Sequence, residues 1–91
     1  MTTFSELTNS IISELYQGGF TRDADELQHL ANLAIDQTLS ASIRKDALKQ
    51  IEMRCHVKWF GDFYLPQLSQ KDWWGRLEKL SRSTKKHMQS I

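Results

Sequence analysis

Apolar residues recur at three- and four-residue spacing through most of this chain, the period of an α-helix with one buried stripe. Phe4, Leu7, Ile11, Ile12 and Leu15 share a face, which predicts a first helix over 4–17. Thr3 stands at its N-cap with Glu6 three residues on, a capping-box pattern, and Gly18-Gly19 supplies the left-handed stop a helix end favours. Leu27, Leu30, Ala31 and Ala34 predict a second helix over 22–36, capped by Thr21 or Asp23, with Asp23, Asp25 and Glu26 near the positive end of its dipole. After the short connection Gln37-Thr38-Leu39, the residues Ile43, Ala47, Leu48, Ile51 and Cys55 predict a third helix from just beyond Ser40 to about His56. Arg44 and Arg54 fall on or beside that face, where an arginine lays its stem on the core and sends its head to water or a carboxylate. Trp73, Leu77, Leu80, Thr84 and Met88 predict a fourth helix after Ser69, with Asp72 completing a second box-like start.

Between the third and fourth helices lies Val57-Lys58-Trp59-Phe60-Gly61-Asp62-Phe63-Tyr64-Leu65-Pro66. Its aromatics suit a strand by propensity, but an isolated strand has no partner to pair with. A helical turn followed by a packed aromatic loop is therefore expected, ended by Pro66. The fold class that follows is all-α: a compact bundle of about four helices in one domain spanning 1–91. Residues 82–91 are rich in Ser and Lys, a composition compatible with a frayed basic tail.

Size and composition narrow the function. A chain of 91 residues, 40% hydrophobic and 25% charged, has little core left over to enclose a deep substrate pocket. Cys55 is the only cysteine, so no intramolecular disulfide is available. The N-terminal residues have neither the basic region nor the apolar run of a signal peptide, and no stretch approaches the ~20 apolar residues of a membrane span. The cytoplasm is the expected compartment and no membrane contact is expected. The net charge of +1 hides an asymmetry: residues 1–39 sum to −5 and residues 40–91 to +6. Packing of the halves against each other accounts for part of it; a dipolar surface that steers a charged partner is the functional alternative.

No catalytic, metal or cofactor site is legible. Cys55 and His56 are adjacent, so on a helix they diverge by about 100° and do not face each other. The histidines His29, His56 and His87 are far apart and lack the paired cysteines of a zinc site. Asp25 and His29 share a helix edge, two ligands at most. Asp25, Glu26 and Asp62 are the obvious candidates for paired-carboxylate chemistry, but the first two suit a helix start and Asp62 suits a turn after Gly61. Gly18-Gly19 lacks the strand and lysine of a phosphate loop.

Binding surfaces are better motivated. On the second helix Asp25, Gln28, His29, Asn32 and Asp36 align as a polar, acidic strip that could dock on a basic groove, such as one evolved for nucleic acid. Trp74 is turned about 100° from the core position of Trp73, and Tyr16 lies at the border of the first helix's stripe; such residues serve as interface anchors, or as covers for the neighbouring loop. Lys79, Arg82 and Lys86, with Lys85 nearby, share the polar side of the fourth helix and could meet phosphates, although a solvated helix face has the same pattern. Helices two and three mimic a helix-turn-helix only weakly, since the usual turn glycine is absent and Asp46 and Glu52 intrude.

Gly18-Gly19 after the first helix, the second helix, the run Ile51 through Asp62 and the Trp73-Trp74 helix together resemble small all-helical bacterial and phage accessory proteins, among them immunity proteins that block a cognate toxin and phage inhibitors of host defence. The likeness is one of size and pattern over most of the chain. It implies a stoichiometric inhibitor that covers a partner's functional surface. The leading expectation is thus a non-catalytic protein-binding module of inhibitor or immunity type, using Asp25, Gln28, Asn32 and Asp36 with Trp74 as anchor. A nucleic-acid-associated protein using Lys79, Arg82 and Lys86 is the alternative, and a homodimer joining acidic to basic faces is a further one.

Overall fold

The computed structural model describes residues 3–91. The four expected helices are present as α1 (Phe4–Gln17), α2 (Thr21–Ile35), α3 (Ala41–Arg54) and α4 (Gln70–Ser90), with one 3₁₀ turn at Phe60–Asp62 and no strand among the described residues. Each helix packs on the next and α4 closes back on α1, giving a four-membered ring 38 × 25 × 23 Å in extent. Cross-helix pairs fix the directions. Tyr16 meets Asp25, Glu26 meets Arg54, Glu52 meets Lys85 and Phe4 meets His87, so neighbours run antiparallel, up-down-up-down.

Local sequence explains most boundaries. The Thr3 hydroxyl accepts the Glu6 amide at 3.1 Å and donates to the Glu6 carboxylate, Ser40 accepts the Ile43 amide, and Ser69 accepts the Asp72 amide. The C-terminus of α1 is a Schellman motif, with the Phe20 amide bonded to the Leu15 carbonyl at 2.8 Å and the Gly19 amide to Tyr16 at 3.1 Å. The two glycines there do different things. Gly19 takes the left-handed conformation, φ +88°. Gly18 is right-handed and is needed for space, since a Cβ on it would lie 2.3 Å from Leu65 Cδ2.

The N-terminus of α2 departs from expectation. Neither Thr21 nor Asp23 caps it; Thr21 is already helical and the cap residue is Phe20, with no side-chain cap bond. Phe20 is held there by parallel stacking on Phe63, ring centroids 4.2 Å apart, so packing rather than capping sets the start. Ile43, expected on the apolar stripe of α3, is exposed, and only Ala47, Leu48 and Ile51 of that helix are buried. In residues 82–91, α4 continues through Ser90, Thr84 is fully buried with its hydroxyl on the Leu80 carbonyl, and Met88 and Ile91 pack on the core.

The core joins Leu15, Leu27, Leu48, Ile51, Leu77 and Leu80 to two large aromatics, Phe60 and Trp73. Consecutive indoles staple the 3₁₀ turn to α4. Trp73 Nε1 donates to the Phe60 carbonyl at 2.7 Å and Trp74 Nε1 to the Gly61 carbonyl at 2.9 Å. The α1–α4 seam is polar: Arg76 donates to the Ser10 hydroxyl at 2.9 Å and pairs with Glu14 at 3.4 Å.

Candidate functional site

The outer face of α2 carries the expected strip. Asp25, His29, Asn32 and Asp36 are exposed, and Gln28 is half-buried with its amide donating to Asn32 Oδ1 at 3.1 Å. Two of the acids have structural duties. Asp36 lies just past the end of α2, where its Oδ1 accepts both the Thr38 hydroxyl at 2.6 Å and the Thr38 amide at 3.0 Å. The hydroxyl bond first, and the amide bond after it, hold its carboxyl below the ordinary carboxylate range. This Asx turn starts the α2–α3 connection. Asp25 accepts the Tyr16 hydroxyl, which fixes that ring at the α1–α2 edge and raises the phenol's pKa, through this bond foremost and then through partial desolvation and the Asp25 charge.

Trp74 is not on that face. It belongs to α4, which lies across the ring from α2. The aromatic that does border α2 is Trp59. Arg54, with its side chain only 13% exposed, places its guanidinium 4.7 Å from the Trp59 ring centroid and 3.6 Å from Glu26 of α2. Its head thus reaches a carboxylate, and a further bond runs to the Gln50 carbonyl, while Nε is buried without a partner. Asp25 and Glu26 are neighbours in sequence, so α2 is flanked by Tyr16 on one side and Trp59 on the other, 45% and 38% exposed. Sequence periodicity gave no signal for Trp59, because it follows the end of α3 and meets Arg54 only through the turn after it.

Trp74, 46% exposed, instead walls a cleft of about 340 Å³ between α3 and α4, lined also by Cys55, Val57, Leu77 and Glu78. The Cys55 thiol is pushed up to about 12 by burial, with the Glu52 charge adding to it, so it is a protonated wall residue at neutral pH rather than a nucleophile. Among the described residues no three His, Cys, Asp or Glu side chains converge to hold a metal ion, and no helix is long and apolar enough to cross a membrane.

Of the basic residues on α4, Lys79 and Lys86 are exposed without an ion pair among the described residues. Arg82 is held by Glu78 at 2.6 Å and Lys85 by Glu52 at 3.7 Å. The acidic and basic halves of the chain do partly neutralise each other, through Glu14–Arg76 and Glu26–Arg54. Comparison with protein-family models, curated proteins and solved structures gives no match to this chain in any of the three.

Proposed function

We propose that this chain is a non-catalytic protein-binding module, a stoichiometric inhibitor of the immunity type that covers a basic functional surface on its partner. The contact face is the outer side of α2, with Asp25, Gln28 and Asn32 at its centre and Asp36 at its end. Its anchors are Tyr16 and Trp59 in place of Trp74. The observation that carries the reading is the fixing of these two rings, one by Asp25 and one by the Arg54–Glu26 pair, on either side of an acidic helix. Half-exposed aromatics already held in place lose little freedom on docking, which is what makes such residues effective anchors. The carboxylates supply attraction and orientation for a cationic partner.

The test is affinity capture with the tagged chain, with and without nuclease, beside an Asp25→Lys/Asn32→Lys variant. Asp36 is left alone because it builds the α2–α3 turn. A protein retained in stoichiometric amount after nuclease, and lost with the variant while its thermal melting is unchanged, is the expected result. Undiminished capture by the folded variant removes the α2 face from the interface. Capture that disappears with nuclease removes the protein-inhibitor reading.

A further inference from the structure

The groove between α3 and α4, on a different side of the bundle, joins two features that the α2 face does not use. At the end nearest the long connection it opens into the cleft walled by Trp74, whose indole is held in place by the Gly61 carbonyl. Trp74 is the one large apolar side chain exposed on α4. Toward the other end the groove is bordered by cations. The Glu52–Lys85 pair spans it at 3.7 Å and sets the register of the two helices. Lys49 and Lys45, one and two turns from Glu52 on the same flank of α3, therefore lie beside the second half of α4, which carries Arg82, Lys85 and Lys86. The face holds five cations against Glu52 and Glu78, and Lys45, Lys49 and Lys86 make no ion pair among the described residues.

We infer that this groove binds single-stranded nucleic acid, with one base stacked on the Trp74 ring in the cleft and the adjoining phosphates following Arg82, Lys85, Lys49 and Lys45. An aromatic platform at one end of a cationic groove is the arrangement that unpaired strands require, since every base offers a π-face and every linkage a charge. Trp74 and Lys85 are about 16 Å apart along the helix at 1.5 Å per residue, room for a short run of nucleotides. A duplex keeps its base faces stacked and cannot use Trp74. Glu78 stands between Trp74 and Arg82 and holds the guanidinium, so it acts against phosphate binding at that step.

The test is tryptophan quenching and anisotropy with short labelled oligothymidylate, a matched duplex and phosphatidylserine vesicles, at several salt concentrations. Expected results are preference for the single strand, affinity reduced at least about fivefold in Trp74→Ala, and a salt slope flattened by about 1.4 in Lys45→Gln/Lys49→Gln. Glu78→Gln frees Arg82 and binds several-fold tighter, a gain that a damaged fold cannot imitate. Absence of binding at low salt, equal or better binding of duplex or vesicles, unchanged affinity in a folded Trp74→Ala, or no tightening in Glu78→Gln each overturns the inference. The α2 reading is unaffected by any of these outcomes, because its capture assay is scored after nuclease.

Discussion

Replacing Trp73 and Trp74 separately by phenylalanine tests whether the two indole staples differ in the way their burial implies. Both donate to a carbonyl that keeps a second partner, Phe63 N–H for Phe60 and the Gln70 amide for Gly61. The lost hydrogen bond therefore costs about 1–1.5 kcal/mol in the buried case rather than a full desolvation penalty. Trp73 is 1% exposed. Phenylalanine leaves about 40 Å³ of its volume unfilled, and at roughly 24 cal/mol per Å³ this adds about 1 kcal/mol. The total for Trp73→Phe is about 2–2.5 kcal/mol, a fall in Tm of roughly 10–20 °C for a domain of this size. At the half-exposed Trp74, water fills the space and solvates the carbonyl, and the cost stays below about 1 kcal/mol. Urea unfolding followed by far-UV circular dichroism measures both, with an unchanged m value showing that the unfolded state is not altered. Equal losses within about 0.5 kcal/mol, or a Trp73→Phe loss below about 1 kcal/mol, would refute the reasoning.

Other substitutions read other parts of the structure. Gly18→Ala drives a Cβ into Leu65 and should cost about 1–3 kcal/mol by overpacking, whereas Gly19→Ala, with open space around it, should cost about 1–2 kcal/mol through its backbone alone; a Leu65→Ala background should relieve the first and leave the second in equilibrium unfolding. Arg76→Met strips the ion pair from Glu14, whose side chain is 12% exposed, and should cost about 1–2 kcal/mol, while Glu14→Leu/Arg76→Met should recover most of it; additive losses in that double-mutant cycle would show the pair to be uncoupled. The Cys55 thiol has a folded pKa of about 12 against an ordinary 9.0, so its contribution to stability is complete below pH 9 and is lost as pH rises from 9 toward 12. Wild type minus Cys55→Ala unfolding free energy should therefore decline by about 1.4 kcal/mol per pH unit across that window, and a flat difference would contradict the burial.

The parts of the fold that were legible in the sequence are those governed by local rules. Thr3, Ser40 and Ser69 each accept an amide three residues on, and the Gly18-Gly19 stop forms where a helix end was expected. What the sequence did not show is decided by partners distant in the chain. Phe20 serves as an uncapped start to α2 because Phe63, far along the chain, holds its ring. Ile43 keeps helical spacing yet stays in solvent, while the neighbouring Arg44 turns its Nε to the Leu39 carbonyl. The candidate site divides the same way. The alignment of Asp25, Gln28 and Asn32 is a property of one helix and was readable, with Asp36 just past its end in the turn that follows, whereas the separation of Trp74 from that strip and the arrival of Trp59 beside it depend on which helices are neighbours in the ring.

The closure of α4 on α1 also makes the chain nearly a loop. His87 stacks on Phe4 with ring centroids 4.8 Å apart, so the first turn of α1 and the last turns of α4 lie side by side. A short flexible linker could join those ends, and the chain could be reopened at the exposed Gln37-Thr38 turn without cutting a helix. Such a circular permutant would leave Tyr16, Trp59 and Trp74 untouched at the opposite end of the bundle. Cargo or an affinity handle attached beside either Phe4 or His87 would likewise sit at the far pole from all three rings.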